Sequence, residues 1–524
     1  MGTKINALLL LSNFLLNCVQ SQFPNEYFTS VANLEYLLES EEIILQRMSK
    51  YINLAEEKVK FLKRQKETFT NEIKDAKKDK IKFLSNPINA FLMTKRLVKD
   101  YAKVDALMQM GLDVKLIDNS TILPTDSDYL GIANSLAEMQ ELYQLDTADL
   151  ARGEILGSPM RKELNSDECY AIGSAMSHSG QYKYGVLWLK EALKRWKNED
   201  SPGVSKVQIL DYVAYSLTED NMYKEATEVN NELLKLESTH ERGLERVGVL
   251  KQWLELIEKY GPKPVPGPVD RGLYHVLCRG EYERPVSQLS ILHCRWDYGK
   301  SSFTRIAPFK MEEVSLDPHI VIYYDVISSK EIDKLIKLGR PQIQRSMVGQ
   351  DDSVKEVSRT RTSQNSWLYD IDDPLIAKIS KRTADITRLN MKGYDGLQLN
   401  NYGIGGKYDP HFDWSEPIKE SEPVFKSLGL GNRIATLMFY LSDVELGGAT
   451  VFPKIGVGVF PKKGSAIFWY NLLHDGTGDT RTLHGACPVL IGSKWVANKW
   501  IHEHHQEFAK PCGLHQHRLD NKSV

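Results

Sequence analysis

Leu397-Gln-Leu-Asn-Asn-Tyr-Gly-Ile-Gly-Gly-Lys-Tyr-Asp-Pro-His-Phe-Asp413 decides how this chain is read. A short strand-like run, Leu397 to Tyr402, leads through a glycine-rich turn into His411-Phe412-Asp413. In an extended backbone residues i and i+2 face the same side, so His411 and Asp413 converge while Phe412 turns away. An HxD triplet alone is weak, because it recurs by chance. Its support lies downstream, in His484 and then Lys494. Two imidazoles and one carboxylate on a facial set leave three cis positions open. That suits a non-haem Fe(II) that binds an oxo-acid in two positions and O2 in the third. Lys494 follows the loop Leu490 to Ser493, and its ammonium would meet the oxo-acid's far carboxylate inside an apolar barrel. Blander readings stand beside these. HxD with a distal histidine also serves a zinc hydrolase or a cupin binding module, and Lys494 alone reads as a solvated turn lysine. The order HxD, His, Lys on a β-rich segment favours the oxygenase.

Around this stretch the chain reads as strands. Arg433 to Leu441, Ala449 to Pro453, Val457 to Pro461, Ala466 to Tyr470 and Trp495 to Ile501 are short β-branched and aromatic runs, mostly separated by Gly- and Pro-bearing turns. Strands at this spacing imply a sandwich or jelly roll. Ser328 to Lys392 reads as largely helical and is expected to pack outside it.

The N-terminal half has a different grammar. From Leu34 the apolar residues step by four and three, through Leu38, Leu45, Met48, Ile52, Ala55, Val59, Leu62, Phe69, Ile73 and Ala76. A period near 3.5 with neither Pro nor Gly is a coiled-coil signature, and such a stripe must pair with a second helix or a second chain. Pro87 is expected to end or bend the helix. Between residues 140 and 245, Gly173, Gly180, Tyr182, Leu189 and Ala192 fall as in a tetratricopeptide unit. Ala214, Tyr223 and Ala226 repeat part of it, giving about two and a half helical hairpins. Tyr182, Tyr212 and Tyr215 belong to a dense tyrosine set suited to a polyproline-II peptide, although for each alone interhelical packing is the better reading. Gly261-Pro-Lys-Pro-Val-Pro-Gly-Pro268 then reads as a semi-rigid linker.

Lys4, the apolar run Ile5 to Leu16 and Val19-Gln20-Ser21 form a signal-peptide pattern, too short for a membrane span. A secreted chain should oxidise its cysteines. Pairing by proximity gives Cys278 with Cys294 and Cys487 with Cys512, leaving Cys169 buried in a helix; five reduced packing thiols are the alternative. Asn119 and Asn521 are glycosylation sequons. A net charge of -2 with 26% charged residues argues against a nucleic-acid binder. The last residues are not an ER-retention signal.

Several phrases resemble the collagen prolyl 4-hydroxylase α-subunit family. They are Asn401 to Asp413, Gly431-Asn-Arg-Ile-Ala-Thr436, Gly447-Gly-Ala-Thr-Val-Phe-Pro453, Ile467-Phe-Trp-Tyr-Asn471 and Trp495-Val-Ala-Asn-Lys-Trp500. The resemblance implies that His411, Asp413 and His484 hold Fe(II), and that Lys494, Tyr402 and Thr450 grip 2-oxoglutarate. It places Tyr408 and Arg433 at the peptide entrance and His502 beside the cofactors. Eight extended residues from Lys494 to His502 span about 26 Å, so those two share one small molecule only if the strand bends. The resemblance further implies L-ascorbate as a reductant, a proline-rich collagen-like substrate, residence in the endoplasmic reticulum lumen, and an α₂β₂ assembly with protein disulfide isomerase as β subunit. Trp414 to Pro423 and Gly485 depart from the family pattern near the active-site mouth, which keeps a paralogue acting on other proline-rich chains in view. A silent peptide-binding adaptor and a lysyl hydroxylase are the remaining rivals. The expected chain is multidomain α + β. It has a signal peptide (1–21), a helical coiled-coil dimerisation region (22–139), a tetratricopeptide-like peptide-binding domain (140–245), a Pro-rich linker and connecting segment (246–327) and a double-stranded β-helix, or jelly-roll, dioxygenase domain (328–524).

Overall fold

The computed structural model describes residues 31–109, 126–160, 162–261, 272–346, 360–392, 395–415 and 430–513. The expected signal peptide and both sequons, Asn119 and Asn521, lie outside them. Two compact units result: residues 1–75 with 106–114, and the remainder.

Helix α1, Val31–Lys78, runs unbroken for 48 residues, as its apolar stepping requires. Along the seam Phe69 is buried and Leu62 half-buried, while Leu45, Met48, Ile52, Val59 and Ile73 are exposed. The helix stops before Pro87. Asp79 caps a following short helix, and Pro87 opens another at its first turn, where a missing N–H is harmless. Pro87 therefore starts a helix and does not end one.

In the second unit, helices α2 (Asp126–Tyr143), α3 (Ser166–His178), α4 (Tyr182–Trp196), α5 (Lys206–Glu219), α6 (Tyr223–Leu236) and α7 (Glu241–Tyr260) contain the anticipated hairpins. Capping boxes at Asn165 with Glu168 and at Ser205 with Gln208 open α3 and α5. Gly173 explains the close crossing of α3 and α4, since a Cβ there would lie 2.8 Å from Leu189 and 3.0 Å from Gly185 O. The expected borders need correction. Helix α2 already packs on the repeat, with Trp188 donating to Gln140 Oε1 at 2.7 Å, and α7 continues past residue 245. End helices cover a repeat without sharing its motif, so periodicity misses them.

The catalytic part also begins earlier than expected. Strands β1 (Cys294–Asp297), β2 (Phe309–Ser315) and β3 (Ile320–Tyr324) belong to its main sheet, although 246–327 read as linker. The exposed edge strand β1 lacks the alternation that marks a strand in sequence. The others are β4 (Gln344–Arg345), β5 (Gln364–Leu368), β6 (Leu397–Tyr402), β7 (Tyr408–His411), β8 (Arg433–Tyr440), β9 (Thr450–Phe452), β10 (Val457–Val459), β11 (Ala466–Tyr470), β12 (His484–Ala486) and β13 (Lys494–His502). Among the described residues they form a nine-stranded sheet, β1-β2-β3-β11-β8-β13-β6-β5-β4, and a four-stranded sheet, β10-β9-β12-β7. The two sheets share one core, where Phe452 meets Trp469 edge-on at 5.5 Å, giving an antiparallel sandwich of the jelly-roll type. Helices Ser329–Gly339 and Pro374–Thr387 cover the outer face of the large sheet, their Ile332, Leu335, Ile376 and Ile379 packing with Leu397, Leu399 and Leu437.

The helical and catalytic parts are not independent modules, because one hydrophobic cluster runs from α2 to α4 into Val451, Leu490 and Ile491. The cysteine pairing differs from expectation for the same reason. Helix Tyr274–Arg279 lies on the small sheet, where Tyr274 donates to Ala486 O, and this brings Cys278 to Cys487, 209 residues away in sequence. Proximity in sequence had favoured Cys278–Cys294 and Cys487–Cys512. Cys294, held in the edge strand, and Cys512 are exposed free thiols; Cys169 is buried as anticipated. Among the described residues no helix is long and apolar enough to cross a membrane.

Candidate active site

Strand pairing assembles the metal donors. β7 and β12 are antiparallel neighbours with His411 opposite His484, and Asp413 follows two residues on. The three donor atoms lie within 4.8 Å of one another. Each histidine is fixed from behind: Nδ1–H of His411 donates to Asp409 O at 2.9 Å, and that of His484 to Thr482 O at 3.0 Å. Both Nε2 lone pairs are thereby left facing the cluster, each 3.7 Å from an Asp413 oxygen. Burial, then His484, keep the His411 imidazole neutral by lowering its pKa. Burial pushes the Asp413 carboxyl up, but His484, His411, Arg433 and the Thr436 hydroxyl outweigh it and hold it below the usual range. A neutral His411 imidazole, the His484 ring nitrogen aimed at the same point and the Asp413 carboxylate make a donor set that fits a divalent cation. Phe452 and Trp469 wall in the His484 ring.

Lys494 lies deeper. It is 1% exposed, and no carboxylate is within ion-pair distance among the described residues. Its Nζ reaches Thr450 Oγ1 at 3.4 Å, and Tyr440 donates to the same oxygen at 2.9 Å. Tyr402 stands opposite Lys494 in the β6–β13 register, with Nζ 5.5 Å from its ring centre. Burial lowers the Lys494 pKa to about 7. A buried ammonium without a counter-ion calls for an anionic ligand, and a second carboxylate on a metal-chelating oxo-acid answers it.

The structure thus brings together His411, Asp413, His484, Lys494, Tyr402 and Thr450. Tyr408 joins them, stacked on His411 at 3.5 Å and lying under the Arg361 guanidinium. His502 does not. It sits at the far end of β13, where Nδ1 meets Gly431 O at 2.7 Å and Nε2 meets Asp395 Oδ1 at 3.1 Å. Arg433, opposite His502, makes a two-pronged contact with the same aspartate at 2.9 and 2.8 Å. The strand stays extended, so its length separates His502 from Lys494 and makes it Arg433's neighbour.

Residues overlooked in the sequence are Thr436, which donates to Asp413 Oδ2 at 2.7 Å, Asp395, and Arg361. Arg361 is buried and donates to Gln398 Oε1 at 3.0 Å and Asn400 Oδ1 at 2.8 Å. A signal existed: Gln398, Asn400 and Thr436 are polar at positions where strands of a sandwich normally place apolar side chains inward. In the helical part Tyr170, Tyr212, Tyr215 and Tyr182 form a half-exposed edge-to-face series with centroids 5.6, 6.4 and 6.1 Å apart. Arg242 lies over Tyr212 and pairs with the buried Asp211.

Facial donors with a buried cation behind them make this chain an Fe(II)- and 2-oxoglutarate-dependent oxygenase. Residues 397–502 match the 2OG-Fe(II) oxygenase superfamily. Residues 30–157 match the prolyl 4-hydroxylase alpha-subunit N-terminal region, and 166–259 the prolyl 4-hydroxylase peptide-substrate-binding domain. Prolyl 4-hydroxylase subunit alpha-2 of Gallus gallus is 38% identical, covering 93% of this chain and 95% of its own length. Subunit alpha-2 of Caenorhabditis elegans is 36% identical (97% of each), and subunit alpha-1 of Rattus norvegicus 34% identical (93% and 96%). The chain belongs to the prolyl 4-hydroxylase alpha-subunit family.

Proposed function

We propose that this chain is the catalytic subunit that 4-hydroxylates proline in collagen-like Xaa-Pro-Gly peptides, consuming 2-oxoglutarate and O2 and releasing succinate and carbon dioxide. The observation that carries the reading is the buried Lys494 ammonium, without an ion-pair partner among the described residues, behind the His411, Asp413 and His484 donors. When bound there, ferrous iron and 2-oxoglutarate supply the oxygen activation for C–H hydroxylation. His411 and His484, held by backbone carbonyls, and Asp413, held by Thr436, fix the metal. Lys494, Thr450 and Tyr402 orient the co-substrate. Phe452 and Trp469 exclude water. The tyrosine series offers flat apolar faces with polar tips, suited to holding a polyproline-II chain while one proline is presented.

The exposed seam of α1 supports self-association as a coiled coil. The signal-peptide pattern and the sequons support the endoplasmic reticulum lumen. The same proposal takes protein disulfide isomerase as β subunit of an α₂β₂ tetramer, with L-ascorbate as the reductant. The decisive assay is succinate formation with a Pro-Pro-Gly repeat peptide: the wild-type enzyme turns over, and His484→Ala abolishes turnover. Full activity in that variant would refute the metal-ligand role.

A further inference from the structure

We propose that Asn471 is a positioning residue that ties two of the three metal ligands to one point. It follows strand β11 and is fully buried. Its side-chain Nδ2–H donates to Thr436 Oγ1 at 2.9 Å, and the Thr436 hydroxyl donates to Asp413 Oδ2 at 2.7 Å. The direction of this relay follows from proton accounting. An ionised carboxylate only accepts, so the single hydroxyl hydrogen goes to Asp413 and Oγ1 must receive from Asn471 a donor, its amide nitrogen.

The main chain of Asn471 reaches the second ligand. Its carbonyl accepts from Asp479 N–H at 2.9 Å, and Asp479 O accepts from Thr482 N–H at 3.1 Å and from Thr482 Oγ1 at 2.7 Å. Thr482 O in turn receives His484 Nδ1–H at 3.0 Å. The Asn471 N–H, donated to Ile434 O at 2.8 Å, pins the residue to β8. Asp413 and His484 thus hang from different atoms of one side chain and backbone, themselves anchored in the large sheet.

Packing does not explain an asparagine here. With Nδ2 spent on Thr436, Oδ1 stays buried with no hydrogen-bond partner among the described residues. An orphaned acceptor is destabilising, and an apolar side chain of similar volume would avoid it. The relay through Thr436 is what leucine cannot supply.

The test uses full-length enzyme stripped of metal with a chelator and titrated with Co(II), reading affinity and the d–d absorption spectrum. Thr436→Val and Asn471→Leu should each weaken Co(II) binding about 10- to 100-fold and shift the spectrum, because an outer hydrogen bond orients the ligand. Thr436→Ser, which keeps the hydroxyl, should bind within about threefold of wild type. The double variant should be no weaker than the worse single one, since both changes cut one relay. Folded Thr436→Val or Asn471→Leu enzyme with unchanged affinity and spectrum would overturn the proposal, as would losses that multiply in the double variant. If Asn471→Leu does not fold, the contrast between Thr436→Val and Thr436→Ser decides: equal affinities overturn it, and a valine-only loss supports it.

Discussion

A lysine enclosed in a sandwich with no carboxylate in ion-pair reach among the described residues makes the ligand-free fold less stable than it would otherwise be. Lys494 titrates near pH 10.4 in an unfolded chain, and burial brings it to about 7 in the fold. Between those values the unfolded chain holds a proton that the ligand-free fold has released, so this residue's contribution makes stability rise with pH across that window. Below pH 7 its destabilisation is fully present. Lys494→Met should therefore stabilise ligand-free enzyme by about 2–4 kcal/mol at pH 6–7 while abolishing 2-oxoglutarate binding. Urea denaturation and calorimetric titration check the two halves, and a less stable variant contradicts an unpaired charge. Ligand binding reverses the preference, because a carboxylate favours the ammonium. Affinity for 2-oxoglutarate should fall by up to about tenfold per pH unit above 7, with proton uptake recorded in buffers of different ionisation enthalpy.

Helix α2 is wedged between the repeat and the catalytic loops. Tyr129 donates to Ala171 O on one side, and Tyr143 to Pro488 O on the other. Lys407 bridges Glu138 on the helix and Asp409, each at 3.1 Å, and Asp409 O in turn receives the His411 ring. Gly405 (φ 65°) permits this approach: a Cβ there would lie 2.6 Å from that of Ser135. Gly405→Ala should cost about 2–4 kcal/mol, from the left-handed backbone and the clash together. Thermal denaturation would show it, and an unchanged midpoint would mean that the loop is free to move. Tyr212→Ala, by contrast, should raise KM for long peptides several-fold and leave the KM for 2-oxoglutarate unchanged. These elements were unevenly legible in the sequence. Strands β6, β8, β9, β10, β11 and β13 were readable because each is a short β-branched and aromatic run, mostly bounded by turns, and the HxD pair because residues two apart in extended backbone share a face. Thr436, Asp395 and Arg361 were not, because their partners come from remote strands. Neither α2, β1 nor the Cys278–Cys487 link was legible either, because each depends on what the fold lays beside it.

Across the whole molecule, the seam of α1 and the active site lie in different compact units. Leu62→Asp should lower the assembly state seen by light scattering and leave Co(II) affinity intact; loss of both together would show that the units do not act separately. The inner face of the large sheet has its own consequence. Gln398, Asn400 and Thr436 are buried there with protein partners of their own, whereas Lys494 has no counter-ion among the described residues, so a bound anion completes the sandwich at that point. A bound molecule that selects the folded state adds stability by mass action, about 2.7 kcal/mol at a hundredfold excess over Kd. Scarcity of iron or oxo-acid would therefore do more than slow each enzyme molecule: it would shorten its life against proteases, linking enzyme abundance to nutrient supply.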